Sequence, residues 1–291
     1  MNDWEVYPPI KKTKDRKGVY MYEVIADISN VDKYSFSKLS TIHQCPYSYD
    51  LYYNQKIEGK NNGMAQCGSL VHSILERYFK GELLQFELAN VFLSEFDESV
   101  PDGVKLTFSD NFERDMTEKY KEQCVEFLSN FSEIEGLEVI GTEENFNLLT
   151  KIKGKSIILN GFIDIIAKDK DENFYIIDWK SKSKFKNKKE IKEYARQLYL
   201  YSIYVKHQYG SFPKELWFYQ FRIGHIEKII FNQEDFEEAL NWAYDTVEKI
   251  ENTQFFEPID FSKFEKPSAL NDAKFFCANL CDYSDYCKFW R

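Results

Sequence analysis

The stretch Ser156–Ser181, "SIILNGFIDIIAKDKDENFYIIDWKS", holds two apolar runs separated by a polar, highly charged turn. Both runs are rich in isoleucine and aromatic residues, as strands are, and "KDKDEN" between them reads as a hairpin turn. Each run carries one acid, Asp164 in the first and Asp178 in the second. With the hairpin centred near Asp171, both acids lie seven residues from the centre, which places them opposite each other across the ladder. Side chains alternate along a strand, so Asp178 and Lys180 share one face while Ile177 and Trp179 point to the other.

Outward from this hairpin the same patterns set the rest of the fold. "LEVIGTEENFNLLTK" precedes it as a further strand, and "ELWFYQFR" and "HIEKIIF" follow as two more. Between the hairpin and those last strands the chain runs through Lys182, Lys184, Lys186, Lys188, Lys189, Lys192 and Arg196 into a helix over residues 188–208. Residues 35–130 read as mostly helical, in "SFSKLSTIHQCPYSYDLYY", "AQCGSLVHSILERYFKG" and "FSDNFERDMTEKYKEQCVEFLSNF". Val71, Ile74, Leu75 and Tyr78 recur there at helical spacing before Gly81 as a stop. A last helix is expected near residues 233–252. The simplest packing of this order is an α/β fold with a central mixed sheet flanked by helices. It divides into an N-terminal extension (1–34), a helical region (35–130), a sheet-bearing core (131–255) and a cysteine-rich tail (256–291).

The chain has 291 residues, 43% apolar and 17% aromatic, enough for a substantial core. No run approaches the 18 apolar residues of a membrane span, and the first residues lack a secretory signal, so a soluble, cytoplasmic protein without membrane contact is expected. The formal net charge of −10 weighs against nucleic acid as a partner unless positive charge is gathered locally, as it is over residues 182–196. Six cysteines in such a protein point to metal binding or simple burial rather than a disulfide framework. Cys277, Cys281 and Cys287 crowd the end, while Cys45, Cys67 and Cys124 are scattered through the first half.

Two carboxylates facing across a ladder repel each other, so a cation between them is the simplest remedy. Oxygen ligands at that spacing suit magnesium or manganese, and Lys180 on the same face could hold a water or stabilise charge on a phosphate. The plain alternative is an exposed hairpin face with ordinary surface charges. His72 and Glu76 share a helical face, and an imidazole there could complete the metal's ligands or be structural. Gln197 and Tyr201 likewise lie four apart, where they could meet phosphate or a base or simply pack. Thiolates at C-x3-C-x5-C with a distant fourth are what an iron–sulfur cubane or a tetrahedral zinc needs.

Taken in order, "SFSKLSTIHQCPYSYDLYY", "GSLVHSILERY", "GFIDII", "IIDWKSK", "QLYLYS" and "CANLCDYSDYC" resemble the RecB-type branch of the PD-(D/E)XK nuclease superfamily. The likeness is greatest to iron–sulfur members related to CRISPR-associated RecB-like exonucleases and to the nuclease domains of bacterial helicase–nuclease complexes. It implies a restriction-endonuclease-like core, with His72, Asp164 and Asp178 as ligands of Mg or Mn and Lys180 as the catalytic lysine. Gln197 and Tyr201 fall on the family's Q-x-x-x-Y motif beside the site. Cys45, Cys277, Cys281 and Cys287 become ligands of a 4Fe-4S cluster, although the x3 spacing of the close pair, where x2 is common, keeps zinc open. The activity implied is that of a metal-dependent deoxyribonuclease, an exonuclease on single-stranded DNA or DNA ends. Recombination, repair, replication or CRISPR-adaptation-like processing would be its setting. Lys182, Lys184, Lys186, Lys188, Lys189 and Arg196 would draw the DNA backbone, and Tyr199, Tyr201 and Tyr204 would stack unpaired bases. The rival reading is a noncatalytic or partner-dependent scaffold beside a helicase, recombination or CRISPR-adaptation protein.

Overall fold

The computed structural model describes residues 4–7, 10–14, 20–24, 31–60, 62–109 and 112–287. Of the extension 1–34 and the tail 256–291, residues 1–3, 8–9, 15–19, 25–30 and 288–291 therefore lie outside the described residues. The chain opens with strands β1 (Trp4–Tyr7), β2 (Ile10–Lys14), β3 (Tyr20–Val24) and β4 (Lys33–Tyr34). Helices α1 (Phe36–Gln44), α2 (Pro46–Tyr49), α3 (Gly63–Phe79) and α4 (Leu88–Ser99) follow. A hairpin of β5 (Lys105–Ser109) and β6 (Phe112–Asp115) then precedes α5 (Thr117–Ser129). The sheet strands β7 (Glu138–Ile152), β8 (Lys155–Lys168) and β9 (Phe174–Lys180) lead into α6 (Lys188–Tyr209). The chain continues through β10 (Glu215–Gln220), β11 (His225–Ile230), α7 (Gln233–Asn252) and α8 (Pro267–Asn279).

The main sheet is ordered β1-β7-β8-β9-β10-β11, with β4 pairing β8. β7, β8 and β9 are antiparallel neighbours, whereas β10 runs parallel to β9, with α6 as the crossover that parallel neighbours require. Local chemistry marks the helix ends. Asn187 caps α6 by accepting from Glu190 N–H, and Gly210 closes it in the left-handed region with φ 84.

Each sheet face has its own core. One is built from α1, α6 and α7, with Leu198, Leu240 and Val247 against Ile166, Ile176 and Phe218. The other is built from α3, α4 and α5, with Val71, Ile74, Phe92 and Leu128 against Ile165, Ile177 and Trp179. Full burial of each such side chain is worth about 1.5–3 kcal/mol, so each helix layer is held to the sheet by many kcal/mol. The mixed sheet flanked by helices is thus as the sequence implies. One helical expectation fails: in "FSDNFERD", Phe108 and Ser109 belong to β5 and residues 112–115 form β6, its antiparallel partner, while Asp110 and Asn111 lie outside the described residues, and α5 begins only at Thr117. Phe108 and Phe112 sit four apart, as on a helix face, but both are exposed and meet each other across the hairpin at 5.7 Å. Among the described residues no helix is long and apolar enough to cross a membrane.

Candidate active site

The β8–β9 register pairs Ile165 with Ile177 and Lys168 with Phe174, so its continuation sets Asp164 opposite Asp178. Alternation breaks at Asp164. Ile157, Leu159 and Ile163 enter one core, whereas Ile165 and Ala167 enter the other, although a regular strand would keep all five on one face. On β7, Glu143 falls between the pairs Thr142–Ile165 and Glu144–Ile163 and adopts a left-handed φ of 47, a conformation that costs a non-glycine residue about 1–3 kcal/mol. Freed from the ladder, the Asp164 carboxylate turns to β9 and its Oδ2 accepts the Trp179 backbone N–H at 2.7 Å.

α3 brings His72 to the same place. Its Nε2–H donates to the Trp179 carbonyl at 3.0 Å, and its Nδ1 lies 3.6 Å from Asp164 Oδ2 and 4.0 Å from Glu143 Oε1. Burial holds the imidazole below its ordinary pKa against the pull of Asp178 and Glu143, so it is neutral near pH 7 and retains a lone pair. Ligand atoms of His72, Glu143 and Asp164 all lie within 4.8 Å of one another, a spacing that could hold a metal ion.

Asp178 is only 3% exposed. Lys180 Nζ sits 2.7 Å from its Oδ2, a close ion pair between a buried carboxylate and an ammonium. The lysine also donates to Gln197 Oε1 at 3.0 Å, and Gln197 Nε2 donates to the Tyr201 hydroxyl at 2.8 Å. Tyr201 can lie against the sheet because residue 161 is glycine. A Cβ there would meet Tyr201 at 2.9 Å.

The electrostatics follow from this crowding. Burial, then Asp178, push the Asp164 carboxyl well above the usual range, despite Lys180 and the Trp179 N–H. Burial and Asp164 push Glu143 up to about 7. Burial would lower the Lys180 ammonium, but the charges of Asp178 and Asp164 outweigh it and hold it above its ordinary value. The site thus gathers three acids about one ammonium, acids that crowding makes hard to ionise together, beside an open cleft of ≈ 840 Å³ lined among others by Ser69, His72, Glu76, Glu143, Lys180 and Ser181. Carboxylates, one neutral imidazole and an ammonium around an open cleft can take up a divalent cation together with a phosphate.

The residues expected from the sequence thus fall into groups. His72, Asp164, Asp178, Lys180, Gln197 and Tyr201 converge. Glu143, which sequence reasoning missed, joins them; its only signal is an acid pair, Glu143–Glu144, inside a strand pattern. The basic residues are largely engaged within the chain. Lys182 pairs with Glu190, Lys186 with Asp272, Lys189 with Glu193, Lys192 with Asp235 and Arg196 with Glu238. Lys184 and Lys188 are exposed. Tyr199 and Tyr201 are buried, and Tyr204 stacks on Phe146 while donating to Glu144, so base stacking on these rings is not open as the sequence reading supposed.

A second cluster lies apart from the carboxylates. Cys45, Cys277, Cys281 and Cys287 line one pocket. Backbone N–H groups of Ser48, Ile259 and Tyr47 point at the Cys45 sulfur. Burial and the neighbouring sulfurs push Cys277 up to about 12 and Cys281 to about 11. Cys67 and Cys124 are buried elsewhere, 3.6 Å apart between α3 and α5.

A family model of the PD-(D/E)XK nuclease superfamily matches residues 33–288. Among solved structures, a candidate exonuclease from Eubacterium rectale is 12% identical, with 80% of this chain and 92% of that chain covered and a TM-score of 0.42. The structure of SSO0001 is 13% identical, with 90% and 88% covered and a TM-score of 0.34. No curated protein matches the sequence.

Proposed function

Because the chain belongs to the PD-(D/E)XK nuclease superfamily, we propose that it is a metal-dependent deoxyribonuclease, an exonuclease that hydrolyses phosphodiester bonds in single strands or at DNA ends. The observation that carries this reading is the meeting of His72, Asp164, Asp178 and Lys180, with His72 and Lys180 on the wall of an open cleft and the two acids behind them, Asp178 buried and Asp164 largely so. The ligand atoms of His72, Glu143 and Asp164 within 4.8 Å of one another, and the raised carboxyls among them, fit a divalent cation. A magnesium or manganese ion held by His72, Asp164 and Asp178, with Glu143 alongside, would supply Lewis-acid stabilisation and an activated water. Lys180 carries three N–H donors; with one directed at Gln197 and one at Asp178, the third is free for a phosphate oxygen or the attacking water. Gln197 and Tyr201 act by aiming that ammonium.

Cys45, Cys277, Cys281 and Cys287 fit a 4Fe-4S cluster better than zinc. Among the described residues no three of these sulfurs lie within 4.8 Å of one another. A tetrahedral zinc, with Zn–S of about 2.3 Å, needs sulfurs about 3.8 Å apart. The N–H groups aimed at Cys45 are the kind of contact that tunes cluster sulfurs.

A second reading, a partner-dependent nuclease-fold module in recombination, repair, replication or CRISPR-adaptation-like processing, takes support from the basic segment. With Lys182, Lys186, Lys189, Lys192 and Arg196 tied to acids of the chain, Lys184 and Lys188 offer the freest charge for a DNA backbone. The two readings separate in one assay. The purified protein, given end-labelled single strands and duplexes in Mg or Mn, either cuts from an end without help and stops with chelator, or stays inert until a partner is added.

A further inference from the structure

The tail that carries the cysteines also grips the approach to α3. Between Cys281 and Cys287, the Asp282 carbonyl accepts the Lys60 backbone N–H at 2.8 Å, and the Tyr283 hydroxyl donates to the Ile57 carbonyl at 2.9 Å. The fit leaves no spare room: a Cβ at Gly59 would lie 2.7 Å from Asp282 Cβ and 3.1 Å from the Tyr283 ring. The Asp282 carboxylate takes hydrogen bonds from Asn62, and the Asn62 side-chain oxygen in turn caps α3 by accepting from Ala65 N–H at 2.9 Å. Asn62 thus has its oxygen on the helix and its amide on the tail.

α3 runs unbroken from this cap to His72, ten residues and about 15 Å further on. Its apolar stripe holds it down on the sheet, but apolar contact is non-directional and sets axial register weakly. Directional contacts hold it at its start, and further along through the His72–Trp179 hydrogen bond and the Arg77–Glu95 pair, so the start and His72 are linked through one rigid helix. We propose that Asp282 and Tyr283 are positioning residues for the nuclease centre: by holding residues 57–62 they fix the start of α3, and through that helix the place of His72 beside Asp164. This rests on the nuclease reading given above. It also ties occupancy of the cysteine site to the metal site by a path through one helix.

The test uses the full chain with Tyr283→Phe, Asp282→Ala, Asp282→Asn and Asn62→Asp. Asn62→Asp preserves the helix cap, since aspartate caps as well as asparagine, but sets like charge against Asp282. Two quantities are read: hydrogen exchange of the first turns of α3, and affinity for Mn. Expected are faster exchange in the Asp282→Ala and Asn62→Asp proteins and Mn affinity about fivefold or more weaker, with the cleavage rate at saturating Mn within about twofold of the parent. Asp282→Asn, which keeps an acceptor oxygen, should recover most of the loss, and iron content should not change. If Asp282→Ala does not fold, Tyr283→Phe and Asn62→Asp carry the test. Unchanged exchange, or faster exchange with unchanged Mn affinity, overturns the positioning role. Failure of the nuclease reading looks different: the parent binds no Mn, or His72→Ala binds it as tightly as the parent.

Discussion

Asp164 Oδ2 accepts the Trp179 backbone N–H at 2.7 Å, so the carboxylate completes the strand where the β8 ladder stops. The same acid faces Asp178 and His72. It is both a structural acceptor and a proposed metal ligand, and the two roles separate by substitution. Asp164→Asn keeps an acceptor for Trp179, whereas Asp164→Ala does not. In chelated protein the Asn variant should be more stable than the Ala variant by about 1–2 kcal/mol, read by urea unfolding, while neither cleaves DNA.

Gln197 is the hydrogen-bond partner that orients Lys180. Gln197→Ala should lower kcat roughly 10- to 100-fold with little change in KM, because a misaimed donor weakens the transition state more than binding. Equal loss in both constants would assign Gln197 to substrate binding instead.

The pH dependence of the chelated protein reports the crowding of acids. Burial and Asp164 raise Glu143 from 4.5 to about 7. Between those values the folded state holds a proton that the unfolded chain has lost, so this group's contribution falls as pH rises. His72, lowered by burial, has the opposite sign below its ordinary pKa. The difference between parent and Glu143→Gln isolates the effect: the variant should gain melting temperature relative to the parent as pH rises across that window.

The cysteine assignment is tested by content. Cys281→Ser should lose iron and stability, and Cys124→Ser should keep its iron, because Cys124 lies beside Cys67 in the α3–α5 core and does not line the pocket of the other four cysteines. Equal iron loss in both would mean that the ligand set is wrong.

The basic segment gives a salt test. Each phosphate contact on single strands contributes about 0.7 to the slope of log affinity against log salt. Removing Lys184 and Lys188 should flatten that slope by more than one. Removing Lys192 and Arg196, which bridge α6 to Asp235 and Glu238 of α7, should leave it nearly unchanged and lower stability.

These contrasts mark what the sequence could disclose. The Asp164–Asp178 register was legible because a polar turn fixes the hairpin and side chains alternate with period two. Gln197 and Tyr201 were legible as helical neighbours, and the cysteines by spacing. Glu143 was not, since a left-handed φ beside a break in alternation, marked in the sequence by no more than the acid pair Glu143–Glu144, turns it toward the site. The β5–β6 hairpin escaped because Phe108 and Phe112 mimic helical spacing. The pairing of lysines with Asp235, Glu238 and Asp272 depends on distant elements, which no local pattern records.

The most direct test of the account removes the paired charges at its centre. Asp178→Asn and Lys180→Ala proteins should be folded, retain their iron and fail to degrade end-labelled single-stranded DNA in Mn or Mg, while the parent degrades it and stops on chelation. Degradation by either variant at a rate near that of the parent would contradict the proposed active site.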